Sequence, residues 1–269
     1  MLMIEESITK PLDCKNLCAR ELCGFLSRYS AWLLGSGATC IRLETNVKRI
    51  AHAYGKEVEL TVMPRHINVS VYETDRSEMI TVIEAVPDTH ISYNTNTLLS
   101  NLSWEIADGK ITFANAINRF EYIIHNDPQN RWLLILLVSM ANASFCRLFG
   151  GDLIAMGIVA FATAAGYYLK QTLLSAKFDV RIVFVICALV SSILGATDRL
   201  FSLGTTPSIS VGTSVLYLVP GIPFLNSFSD MLYRHYICAY SRFADAVVLT
   251  CCLSVGLCAG MLLMHVGMF

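Results

Sequence analysis

LYLVPGIPFLNSFSD, Leu216–Asp230, is the stretch whose reading decides the fold. An apolar run of bilayer-crossing character is interrupted here by Pro220, Gly221 and Pro223, and resumes with Asn226 and Asp230, four residues apart. Proline inside a helix removes a backbone hydrogen bond and clashes with the preceding turn. In hydrocarbon the freed carbonyls need partners, so such a break survives only against protein or a wet cavity. Broken helices of this kind line substrate sites in transporters. The stretch is therefore expected to belong to a translocation path.

Outward from the break, the second half of the chain reads as membrane. Of the charged residues, 29 fall in residues 1–131 and only 12 in residues 132–269. A span needs roughly 20 apolar residues. Trp132–Phe149, Leu153–Leu169, Ile182–Thr197, the broken Ile209–Leu225 and Phe243–Val266 supply five. Lys170, Lys177, Arg181, Arg234 and Arg242 fall on one side of these spans, and Arg147 and Arg199 on the other. The positive-inside bias then puts the N-terminus in the cytoplasm and the C-terminus outside. Met1–Asp13 carries Glu5, Glu6 and Lys10 and no apolar core, so no signal peptide is expected.

The sparse charges of this half have two readings each. Asp152, after the Gly150-Gly151 turn, either pairs with Arg147 across a helical hairpin or stands at the mouth of a path. Asp198-Arg199 reads as a polar loop. Asn226, Asp230 and Arg234 share one helical face. Either Asn226 caps a new helix and Asp230 pairs with Arg234, or Asp230 is a proton or substrate site beside exposed backbone. Asp245, near the start of the last span, is a weaker candidate.

The first half reads as an α+β domain. Apolar spacing in Asp13–Leu34 predicts a helix, and Gly35-Ser36-Gly37 ends it. Ser36 or Thr39 could cap a second helix running to about Tyr54, with Gly55 as its stop. Lys56–Met63, Ile67–Tyr72 and Met79–Val86 alternate as strands, the last two joined by a turn at Asp75–Ser77. Leu98–Ala107 and Phe113–His125 return to helical spacing. The expected organisation is an α+β cytoplasmic domain over 1–131 and an all-α membrane domain over 132–269. Within the first, GSGATCIRLE (Gly35–Glu44) is a glycine turn feeding a helix N-terminus, which could receive an anion near Ser36, Gly37, Arg42 and Glu44. The alternative is a tight interhelical turn with Arg42 and Glu44 paired on the surface.

The formal charge of −1 argues against a nucleic-acid partner. Ten cysteines lack a CxxC set and the histidines are dispersed, so no metal and no cofactor are expected. The cysteine usage fits a reducing compartment. No nucleotide-binding signature is present, and no nucleophile, base and orienter set stands out.

Four stretches together resemble the threonine/serine exporter family: GSGATCIRLE, FCRLFGGD at Phe145–Asp152, VPGIPFLNSFSDML at Val219–Leu232, and HYICAYSRFADA at His235–Ala246. Their order and spacing cover nearly the whole chain. The resemblance implies an inner-membrane carrier exporting small hydrophilic metabolites. Some relatives are single long chains that export threonine and serine. Split relatives use two chains, and a similar pair is associated with succinate export. This chain matches the larger split subunit, with a smaller membrane subunit as its partner. The family's motif positions fall on Gly150, Gly151, Asp152, Pro220, Gly221, Pro223, Asn226 and Asp230.

The expectation is one half of an export carrier for a carboxylate-bearing metabolite, an amino acid or a dicarboxylate, able to form a homo-oligomer. Asp230 or Asp152 would take up the proton that couples export to the gradient, since burial can raise a carboxyl pKa towards the working range. The rival from another class is a membrane-anchored enzyme, needing Ser36, Arg42, Glu44 and a histidine to converge. A third reading is a sensor or assembly subunit with no path of its own.

Overall fold

Leu22, Leu26, Tyr29 and Leu33 recur at helical spacing and form the fully buried face of α1 (Ala19–Gly35) in the computed structural model of the chain, which describes residues 18–72, 79–88, 91–126, 130–200 and 204–265. The helix closes with Gly37 N–H on Leu34 O and Ala38 N–H on Leu33 O, the paired bonds of a helix-ending motif that requires a left-handed residue. Gly37 supplies it at φ +92°, and a Cβ there would sit 2.8 Å from Ile91 Cγ2. Thr39, not Ser36, caps α2 (Cys40–Ala53), its hydroxyl accepting the Arg42 N–H at 3.4 Å.

Three antiparallel strands follow in the order β1 (Glu57–Val62), β2 (His66–Tyr72), β3 (Met79–Ala85). Val58 faces Val71 and Leu60 faces Val69. On β2 the alternation is complete: Ile67, Val69 and Val71 are fully buried, with Asn68, Ser70 and Tyr72 on the other face. The turn expected at Asp75–Ser77 lies outside the described residues. α3 (Tyr93–Ala107) begins earlier than the apolar spacing indicates, because Ser92 caps it. α4 (Phe113–His125) is capped by Thr112. Phe120, Leu99, Leu102, Leu43, Val47 and Ile50 complete the core around Tyr29. The Tyr29 hydroxyl is satisfied, donating to Leu99 O at 2.8 Å and accepting from Asn46 at 3.3 Å.

The remaining helices are α5 (Arg131–Leu148), α6 (Leu153–Ser175), α7 (Val180–Leu200), α8 (Pro207–Ser214), α9 (Gly221–Leu232) and α10 (Tyr236–Leu263), with a 3-10 turn at Leu216–Leu218. Among the described residues four helices, α5, α6, α7 and α10, are long and apolar enough to cross a membrane; α8 with its 3-10 turn and α9, joined at the break, make a fifth if they count as one span. The chain is mostly helical, with one small sheet near its N-terminus. The last long helix starts at Tyr236, before the apolar run that marks it in the sequence, so Asp245 lies well inside it and is exposed.

By internal contacts the chain divides into two units. The first holds Met1–Pro128 and Pro223–Phe243; the second holds Gln129–Ile222 and Ala244–Phe269. In the second unit, Trp132 stacks on Tyr168 with ring centres 6.0 Å apart. Arg131 clamps the same end, donating to Gln171 at 2.7 Å and Thr172 at 2.8 Å. Asn130 caps α5. Small and hydroxyl side chains fill the interior of this unit, including Ser191, Ser192, Ser210 and Ser214, all fully buried. Large apolar side chains such as Leu133, Leu136, Leu137, Met140 and Phe161 point outwards. An apolar exterior over a small-residue interior is the inverse of a water-soluble bundle and suits lipid.

Candidate functional site

The helix break brings its polar residues onto the glycine turn. α9 ends in the same motif as α1: Arg234 N–H bonds Met231 O at 3.1 Å and His235 N–H bonds Asp230 O at 2.8 Å. Arg234 itself takes the left-handed position, φ +66°. The chain thus reverses direction at Arg234, and the i,i+4 geometry expected between Asp230 and Arg234 is lost. Arg242, on the returning helix α10, takes that place: its Nη1 lies 2.9 Å from Asp230 Oδ2. Asn226 does not cap α9; its Nδ2 donates to Gly37 O at 2.8 Å.

Asp230 is fully buried, and its Oδ1 accepts the backbone N–H of Cys40 at 2.8 Å. Cys40 is the first residue of α2, where unpaired N–H groups and the helix dipole attract an anion. The glycine turn therefore does present an amide to an anion, and the anion is the chain's own Asp230. Arg242 closes the arrangement with Nη2 donating to Ala38 O at 2.8 Å. Neither Asp230 Oδ2 nor Arg242 Nη1 is aligned for a hydrogen bond despite their proximity. They form an ion pair with unspent hydrogen-bonding capacity.

The other residues of the turn go separate ways. Ser36 is buried and its hydroxyl donates to Leu33 O at 2.8 Å. Arg42 does not pair with Glu44; its Nη1 donates to Asn96 Oδ1 at 3.0 Å. Glu44 lies 3.5 Å from His235 Nε2 through one oxygen and 3.5 Å from Lys48 through the other. The set a hydrolase would need does not gather around Ser36. Among the described residues no three His, Cys, Asp or Glu side chains could hold a metal ion.

In the second unit, Gly150 closes α5 at φ +89° and Asp152 caps α6. A Cβ on Gly151 would meet Cys146 Sγ at 2.5 Å, so the hairpin needs both glycines. Arg147 does not pair with Asp152; its Nη1 donates to Gly151 O at 3.1 Å. Asp152 Oδ1 accepts the Ala155 N–H at 2.6 Å, and Oδ2 accepts the N–H and hydroxyl of Thr205 at 2.6 and 3.0 Å. These bonds to the ionised form, Ala155 first, hold its carboxyl below the usual carboxylate range.

Asp198, expected in a polar loop, instead lies near the end of α7 and is fully buried. Its Oδ1 accepts the Gly204 N–H at 2.8 Å and its Oδ2 the Ser210 hydroxyl at 2.6 Å. A Cβ on Gly204 would lie 2.8 Å from both Asp152 Oδ2 and Asp198 Oδ1, so the two carboxylates face each other across that glycine.

At the break itself the backbone turns tightly, with Val219 N–H on Leu216 O at 3.1 Å and Gly221 N–H on Val219 O at 2.8 Å. Asn142 on α5, also unforeseen from sequence, is buried and donates to Thr213 O at 3.1 Å, near the end of α8, and to Thr163 Oγ1 at 2.8 Å. Tyr217, in the 3-10 turn, shares a 2.9 Å hydroxyl contact with Ser191. Pro220 leads into α9, and Pro223 lies in its first turn, where a missing N–H costs nothing.

Comparison with known proteins places this geometry in context. Residues 24–264 match the family model described as "Putative threonine/serine exporter". The chain is 29% identical over 234 residues to "Probable succinate transporter subunit YjjP" of Klebsiella aerogenes, covering 86% of this chain and 89% of that protein. It is 35% identical over 127 residues to the protein of the same name in Escherichia coli K12, covering 47% of this chain and 50% of that one. No solved structure matches.

Proposed function

Because the chain belongs to the threonine/serine exporter family, we propose that it is one subunit of an inner-membrane exporter for small hydrophilic carboxylates, of the threonine/serine or succinate type. Relatives named as transporter subunits support a partner, and a smaller membrane subunit of the same family is the partner this reading requires. In this reading residues 1–131 are the cytoplasmic part and residues 132–269 hold the membrane spans, with the segment Pro223–Phe243 packed into the first unit and the C-terminus outside. The bias of Lys170, Lys177, Arg181, Arg234 and Arg242 to one side supports that orientation.

The observation that carries the reading is the buried Asp230–Arg242 pair immediately after the helix break. A buried charge pair is a weak source of stability and a costly one to build. It repays that cost if the two charges exchange partners during a transport cycle. Protonation of Asp230 would release Arg242, which could then meet a substrate carboxylate through its unspent donors. Loss of the proton on the other side would restore the pair and expel the substrate. Pro220, Gly221, Pro223 and Asn226 keep the break in place. Gly150, Gly151 and Asp152 shape the tight turn between α5 and α6.

Metabolite efflux profiling tests this. Cells making the smaller membrane subunit with this chain should release a threonine/serine-type amino acid or a succinate-type dicarboxylate faster than cells making the subunit alone. Identical release profiles would reject the assignment. Asp230→Asn with the partner present should abolish gradient dependence; unchanged gradient-dependent efflux would remove the proton role.

A further inference from the structure

Two arginines of α2, Arg42 and Arg49, stand two helical turns apart and line the same groove, with no acid partner among the described residues. Arg42 Nη1 donates to Asn96, Asn46 donates to Ser100 at 3.0 Å, and Arg49 Nη1 donates to Ser103 at 2.7 Å. Each of the three pairs is separated by 54 positions, so α2 and α3 run in the same direction and in register, with polar rungs between them. Arg49 is held further by Asn46 Oδ1 at 2.8 Å and lies 3.7 Å from the centre of the Trp104 ring. Asn46, Asn96 and Ser103 are buried, which fixes the guanidinium positions.

The groove above these rungs is shallow and open to solvent, with a volume of ≈ 550 Å³ and no acidic residue in its lining. Among the described residues each guanidinium spends Nη1 on neutral oxygens and makes no ion pair. The cost of ordering two long cationic side chains has thus been met without any charge being neutralised. Seven residues of helix separate the two by about 10 Å. One carboxylate satisfies one guanidinium fork, and a short linear diacid presents two at opposed ends.

We propose that this groove on the first unit is a binding site for a short-chain dicarboxylate, one carboxylate on Arg42 and the other on Arg49. The site is distinct from the Asp230–Arg242 pair and does not depend on the chain's being an exporter. Thr45, Ser100 and Trp104 also line it.

Calorimetric titration of the purified full chain in detergent, with succinate as the probe, tests it. Succinate should bind saturably at one site per chain, with propionate, threonine and inorganic phosphate each at least tenfold weaker. Arg42→Gln and Arg49→Gln should each weaken succinate at least tenfold, while Arg20→Gln, on exposed α1 surface, leaves it unchanged. Thr45→Glu keeps both arginines and places a repelling charge between them; it should abolish binding at an unchanged melting temperature, which separates loss of the site from loss of the fold. No succinate binding, wild-type binding in Thr45→Glu or in both arginine variants, or phosphate binding as tightly as succinate would overturn the proposal. Efflux failing while this binding persists would reject export and leave the groove standing.

Discussion

Arg242 Nη1 lies 2.9 Å from Asp230 Oδ2, joining the returning helix α10 to the helix that follows the break. Asp230 is fully buried and also caps α2 through Cys40. Removing one member of such a pair strands a charge out of water, at a cost of about 3–5 kcal/mol. Asp230→Ala should therefore unfold markedly earlier in thermal melts of the detergent-purified chain. Asp230→Ala combined with Arg242→Met should recover much of the loss, because the stranded charge is gone. A double-mutant cycle showing simple additivity would mean the two residues do not act as a pair.

Gly37 is the hinge on which this cap depends. Its φ of +92° and the 2.8 Å approach of Ile91 to any Cβ exclude a larger residue without local movement. Gly37→Ala is expected to destabilise by about 1–3 kcal/mol, and the same substitution at Gly24, inside α1 where a Cβ meets nothing within 4 Å, should stabilise by up to about 1 kcal/mol. Parallel melting curves of the two variants decide the matter; equal shifts would contradict the steric account.

Asn142 shelters a carbonyl near the helix break. Asn142→Leu keeps the volume and removes both donors: Thr163 Oγ1 loses the amide it accepts from, and Thr213 O keeps only the Val215 N–H. Leaving buried polar groups unpaired costs about 1–3 kcal/mol. The variant should melt earlier than wild type. Asn142→Leu at wild-type stability would mean that the Val215 N–H alone satisfies Thr213 O and that Thr163 Oγ1 does not need the amide.

Asp152 gives a pH signature. Its folded carboxyl titrates below the unfolded one, so its contribution is complete above the ordinary carboxylate range of about 4 and is lost as pH falls through the depressed folded value. The stability difference between wild type and Asp152→Ala should be flat from neutral pH down to that range and shrink below it. A difference that grows on acidification would reverse the sign and refute the cap.

Much of this was legible in the residues. Alternation on β2, a cap at Ser36 or Thr39 and a stop at Gly35-Ser36-Gly37 follow from local rules, and the apolar runs marked the long helices, though α6 runs on past Leu169 to Ser175 and α10 starts at Tyr236, before Phe243. What local rules could not show is where a polar side chain finds its partner once the chain has turned. Arg234 is four residues from Asp230, but its left-handed backbone ends the helix there and puts Arg242 in contact instead. Asp198 looked like a loop charge beside Arg199; only the approach of Gly204 and Ser210 reveals it as buried and shared. The glycine turn and the helix break each looked like a separate anion-related site. They meet because Asp230 is the anion that the turn receives.

The most direct test is reconstitution. The purified chain and the smaller membrane subunit, placed together in liposomes loaded with threonine, serine or succinate, should release at least one of these when a proton gradient is imposed, and liposomes holding either subunit alone should not. Release no faster than from empty liposomes for every carboxylate, with both subunits folded and inserted, would contradict the exporter account.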